Sequence, residues 1–344
     1  MSKVEVDVTF HPEWWHQNSG VCFGQDFFFD PSYRIRADQT MRKVLYNKFG
    51  DLGLGESDPS LRPIVGTDLL ASGFLYSGIM GCPIQYSDNN PPRVICANLD
   101  DTKIKALAGL DLADNELWRQ TIAQFEFLEQ KFGYVDSHIN LQGILNIALD
   151  LRGSVLFMDF YDQPDLAKQL LNETTRISLE IGRYISSKSK CLSHGVTAIT
   201  AKTMPDIYLT SNCTVEMISQ DLYDEFLLAF DQQLANAFQP FGVHHCGKTM
   251  EHVVAGYAKI NNLAFAEVGA GSDIAKVRRL LPKTFLNLRY SSVRLKTVTK
   301  MELAFEVAEM AKAAADNFSI SCVGIDAETE DIQVRNLIES VKLL

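Results

Sequence analysis

The chain has 344 residues, a formal net charge of -11, and 46% hydrophobic against 22% charged residues. The acidic balance argues against nucleic acid or an anionic lipid surface as a partner, and no uninterrupted apolar run reaches membrane-spanning length. Seven scattered cysteines, odd in number and without a CxxC pair, fit reduced thiols in a cytoplasm better than a disulfide framework.

The first nine residues alternate charge and valine, so they do not read as a signal peptide. Residues 1–60 read as an aromatic-rich extension. The run from Phe10 to His16 and the run from Cys22 to Pro31 are dense in rings, with neither helical nor alternating period. Trp14, Trp15, Phe23 and Phe27 are candidates to wall a pocket for a planar aromatic substrate. The alternative for the same rings is to plug one end of the fold or to form a homodimer contact. Residues 31–48 read as a helix striped with Ile35, Met41, Val44 and Leu45.

Strands and helices then alternate. The spacing predicts a strand ending near Asp68, a helix over 115–132, a strand over 139–144 and a helix over 166–187 opened by Gln163-Pro164-Asp165. Short strands are predicted over 196–200 and 207–210. Ser219 is placed to cap a helix over 220–238. Four β-then-α units follow. Their strands are 241–246, 264–267, 285–289 and 318–323, and Thr299 to Glu302 forms a capping box. A (β/α)8 barrel with the N-terminal extension, residues 61–344 forming its catalytic domain, fits this order. No GxGxxG and no Walker sequence is present, which weakens the open doubly wound alternative.

Barrel enzymes place active groups at the C-terminal ends of strands. The last four strand ends carry Cys246, Glu267, Arg289 and Cys322. Alternation along the strand points His244 the same way as Cys246 and turns His245 away. His244, Cys246 and Cys322 therefore read as an open, catalytic-type zinc site, with Glu267 as an exchangeable fourth group. Asn212 and Arg289 are further candidates to touch substrate. Cys213, beside Asn212, reads as a pocket residue or as packing, and Cys191, His138 and His194 read as structural.

The stretch from Gly242 to Gly247, the Glu267 strand end and Ser321-Cys322-Val323-Gly324 resemble the corrinoid-dependent zinc methyltransferases of the uroporphyrinogen decarboxylase superfamily. Tyr161 to Leu166 looks like that family's D-x-P-E-L helix start, and Ser219 to Phe226 like its S-P-E-x-F-x-E-F segment. The resemblance covers roughly residues 60–344. It implies a TIM barrel, zinc on His244, Cys246 and Cys322, and a corrinoid (cobalamin) carried by a partner protein. The N-terminal aromatic block and the Asp51 to Glu56 loop look like the O-demethylase methyltransferases of acetogens. The implied reaction moves methyl from a methoxylated aromatic to Co(I). The two-thiolate shell resembles instead the branch that methylates a thiol such as coenzyme M. No R-Q-A-G-R segment is present, which speaks against a decarboxylase-like lyase acting on a tetrapyrrole polyacid. A non-catalytic scaffold for a corrinoid protein is the remaining class.

Overall fold

The strands of the computed structural model, which describes residues 4–344, are short and rich in β-branched and aromatic residues. In chain order they are β1 Glu5–Phe10, β2 Ile64–Gly66, β3 Ile84–Ser87, β4 Asn90–Val94, β5 Asp136–His138, β6 Tyr208–Ser211, β7 Phe241–His244, β8 Leu263–Val268, β9 Phe285–Tyr290 and β10 Phe318–Ile325. Six of them form one curled sheet in the order β1-β10-β9-β8-β7-β6, every pair parallel. The fold is thus mixed α/β with a six-stranded half-barrel. A separate parallel pair, β2 and β5, approaches its β6 edge through the isolated bridge between Gln142 and Ser211. β3 and β4 make a small antiparallel hairpin.

Crossover helices cover the outer face. The longest spans Pro164–Lys188 and starts on proline, whose fixed φ suits a first turn. The helix Lys300–Ala314 opens with the Thr299–Glu302 capping box. No helix of the described residues is long and apolar enough to cross a membrane.

Several elements differ from the sequence expectation. Glu5–Phe10 joins the main sheet beside β10, so the segment read as an extension supplies an edge strand. The stretch 196–200 is no strand: Val196 bonds back to Ser193, and the Thr200 hydroxyl donates to the Thr197 carbonyl, which favours a turn and the short helix Thr200–Thr203. The strand expected over 139–144 lies earlier, at Asp136–His138, and a helix begins at Ile144 after Gly143. Gly143 passes so close to β6 that a Cβ there would stand 2.2 Å from the Ser211 carbonyl oxygen.

Register fixes which side chains share a face. Ser211, His244, Glu267 and Asn287 lie in one row across β6 to β9. Asn287 Nδ2 donates to Ser321 Oγ at 2.9 Å, and Ser319 Oγ donates to Asn287 Oδ1 at 3.0 Å, so these residues face the same inner side. Their neighbours face the helices: the Tyr290 hydroxyl reaches Glu306 on the Lys300–Ala314 helix.

Candidate metal centre

Two residues beyond that row, on adjacent strands, stand two thiols. Ser211 is level with His244, so Cys213 and Cys246 occupy equivalent places past β6 and β7. Their sulfurs are 2.7 Å apart, and the Cys246 thiol donates to Cys213. Ligand atoms of Cys213, His244 and Cys246 all lie within 4.8 Å of one another. The hydrogen bond from Cys246 lowers the Cys213 thiol and raises Cys246 well above the usual thiol range.

Glu267 supports this group from β8. It is fully buried, and its Oε2 stands 2.9 Å from His244 Nδ1. Its Oε1 accepts from Arg289 at 2.8 Å. Burial alone would raise the Glu267 carboxyl; His244 and Arg289 outweigh it and hold it down to about 2. Burial likewise works against a charged His244, but Glu267 and Cys246 bring it up to about 10. Glu267 therefore sits between two basic partners, His244 and Arg289. A metal ion here would displace the protons of Cys246 and His244.

Glycines set the loop. A Cβ on Gly269 would meet the Gly247 carbonyl oxygen at 1.9 Å, and one on Gly247 would meet Glu216 Oε2 at 2.5 Å. The loop after Cys246 is therefore pressed between the end of β8 and Glu216, which also accepts from the Lys248 amide at 2.7 Å. His245 turns away, its ring nitrogens 3.0 Å from the Tyr257 hydroxyl and 3.0 Å from the Thr249 carbonyl oxygen. Burial lowers it to about 4, a neutral packing residue.

The structure brings His244, Cys246, Glu267 and Arg289 together and leaves Cys322 out. Cys322 is level with Tyr290, next to the inward Ser321, and so lies on the helix-covered face with no exposure. Cys213 is the residue that stands with His244 and Cys246. The signal for Cys213 was available: it follows a strand end just as Cys246 does. Asn212 is buried; its Nδ2 donates to Asp231 Oδ2 at 2.7 Å and its amide to the His244 carbonyl at 2.8 Å, so it fastens the Cys213 loop.

The four aromatic candidates are packed away. Trp14 stacks on Phe10 at 3.9 Å, Trp15 meets Trp14 edge-on at 4.9 Å, and Phe23 lies 4.8 Å from Phe27. All four are buried, and Trp15 Nε1 donates to the Leu69 carbonyl at 3.1 Å. They belong to the buried core under the N-terminal helices. Arg289 does line one, of about 530 Å3, with Tyr290, Ser291 and Arg294.

Two sulfurs and one imidazole are a donor set for a borderline divalent cation, and zinc fits it. The fold is shared with a solved structure. Over 100% of this chain and 94% of the other, it superposes on a methyltransferase from Methanosarcina mazei, with a TM-score of 0.68 and 15% sequence identity. No protein-family model matches the sequence, and no curated protein matches it either.

Proposed function

We propose that the chain is a zinc-dependent methyltransferase that moves methyl from a methoxylated aromatic to Co(I) of a corrinoid held by a partner protein. The observation that carries this reading is the Cys213–His244–Cys246 group at the C-terminal ends of β6 and β7. The fold shared with a methyltransferase supports it. On this reading the half-barrel and the β2–β5 pair are arcs of one (β/α)8 barrel whose mouth receives the corrinoid protein.

Zinc on Cys213, His244 and Cys246 would supply Lewis acidity toward the ether oxygen. The partner's Co(I), when bound, would supply the electron pair for the methyl carbon, and the pair of the broken C–O bond would stay on oxygen as phenolate. Glu267 fixes the His244 ring through Nδ1, which leaves Nε2 for the metal. Arg289, pinned to Glu267, would keep a positive charge close to the metal group as negative charge develops on the leaving oxygen. The His244–Glu267–Arg289 chain of ion pairs holds these groups in place.

The two sulfurs also favour a second reading, methyl transfer from a methylcorrinoid to a thiol, because thiolates damp the acidity of the metal. A lyase for a polyacid is disfavoured: Arg289 is taken by Glu267, and Arg294 by Glu306 at 2.8 Å, so the cavity offers no unpaired arginine pair among the described residues. The test is the absorbance spectrum of cob(I)alamin mixed with zinc-loaded protein and guaiacol. Methylcobalamin formation is expected. Its absence, together with turnover of methylcobalamin and coenzyme M, would replace the first reading by the second.

A further inference from the structure

A second thiol–imidazole group lies elsewhere in the molecule, and the methyl-transfer reading makes no use of it. Ligand atoms of His138, Cys191 and His194 all lie within 4.8 Å of one another. His138 ends β5. Cys191 and His194 belong to the loop between the Pro164–Lys188 helix and β6. Gln142 is level with Ser211, so His138 sits four residues back, about 13 Å toward the N-terminal edge of the sheet.

The group is held from all sides. Ser189 Oγ accepts from the Ser137 amide at 2.9 Å and donates to the Cys191 carbonyl at 2.9 Å. Ser193 Oγ accepts from the Leu209 amide at 2.7 Å and donates to the Ile207 carbonyl at 2.7 Å. These bonds fasten the loop to β5 and β6. Glycines let the chains meet at His138: a Cβ on Gly195 would stand 1.9 Å from its carbonyl oxygen, and one on Gly66 2.2 Å. Gly66 has φ +84°, where a side chain would also be strained.

The polar atoms are arranged as a ligand set. Asp68 Oδ1 stands 3.3 Å from His138 Nδ1, the position of the outer carboxylate that orients a metal-bound imidazole and leaves Nε2 free to ligate. Asp68 is itself tied to Arg62 at 2.8 Å. His194 Nε2 is buried with no hydrogen-bond partner among the described residues, and so is His138 Nδ1 apart from that 3.3 Å approach. Such atoms are costly to leave unsatisfied. A cavity of about 330 Å3, lined also by Arg62 and Asp206, reaches the group and gives an ion its access.

We infer that His138, Cys191 and His194 form a second binding site for a divalent zinc-class cation, with Asp68 positioning His138. The donors are one thiolate and two imidazoles, a borderline set that excludes calcium and magnesium. The fourth position opens on the cavity and takes water. The ion would fasten the 190–195 loop to β5 at the edge where the β2–β5 pair meets the half-barrel.

The test uses full-length protein stripped by a chelator and titrated with Co2+, in a Cys213→Ser/Cys246→Ser background that silences the first group. Expected is one equivalent of Co2+ with a near-ultraviolet thiolate-to-cobalt band. That band disappears with Cys191→Ser, and affinity falls at least tenfold with His194→Gln. A background variant that is folded by circular dichroism yet binds no Co2+ overturns the site, as does a band that survives Cys191→Ser. Should the background variant not fold, unsubstituted protein is titrated instead: two equivalents support the site and one overturns it. None of these readouts depends on methyl transfer.

Discussion

Cys213, His244 and Cys246 at one place, and His138, Cys191 and His194 at another, offer nearly the same donors with different support. The first group grows from two adjacent strand ends in register and is backed by Glu267, whose two oxygens are both committed to charged partners. The second is assembled from a strand end and a distant loop, and its carboxylate shares Arg62 with Asp38. The second group lines a cavity of about 330 Å3, while of the first group's surroundings only Arg289 reaches a cavity, of about 530 Å3, that runs toward the Lys300–Ala314 helix. Donor identity alone therefore does not tell a reactive centre from a structural one. The support and the place in the sheet do.

The largest effect expected separates the two by activity. Cys246→Ser should lower methyl transfer on the order of a thousandfold, since it removes a metal ligand and several kcal/mol of charge stabilisation with it. Cys191→Ser should leave the rate at saturating zinc within about threefold, the spread of an ordinary remote substitution. Equal losses in the two variants would erase the distinction.

The supports differ next. Glu267→Gln strands Arg289 and a charged His244 in the interior and should destabilise the metal-free protein by about 3–5 kcal/mol in urea unfolding. Asp68→Asn should be milder, about 1–3 kcal/mol, because Arg62 keeps Asp38. The reverse order would show that the second group is the more tightly braced.

A pH dependence probes the anchor of the Cys213 loop. Burial raises Asp231 to about 6, against bonds from Tyr223 at 2.8 Å and Asn212 at 2.7 Å that lower it. Its folded value lies above the unfolded one, so the native state holds the proton more tightly. That contribution is present below about pH 4 and is lost as pH rises through about 6, a span of roughly 3 kcal/mol. Asp231→Asn should remove this slope, so its unfolding free energy relative to the unsubstituted protein should rise by that amount between pH 4 and pH 7. A constant difference would place the titration elsewhere.

Cys322→Ala should have the smallest effect. It removes a buried sulfur from the helix-packed face and should destabilise by about 1–2 kcal/mol, with unchanged zinc content by elemental analysis. Loss of zinc would restore Cys322 as a ligand.

Much of the half-barrel was legible because its strands are apolar runs that end in polar residues. β7 to β10 and the capped helices fall close to where period and caps put them. What escaped was register. Ser321 and Cys322 are neighbours in sequence and opposites in space, and only the pairing with Arg289 and Tyr290 says which faces inward. Cys213 was passed over because the strand-end rule was applied to the last four strands and not to β6. The aromatic block was legible as a cluster but not as core, since ring density alone does not distinguish a wall from a plug. β1 was hidden because its partner, β10, lies some 300 residues away.

The central claim is that Cys213, His244 and Cys246 together hold the metal. X-ray absorption at the zinc edge, on Cys191→Ser protein loaded with one equivalent of zinc, counts the sulfur ligands directly. Two sulfurs are predicted, falling to one with Cys213→Ser and staying at two with Cys322→Ser. A count that survives Cys213→Ser and drops with Cys322→Ser would contradict the account.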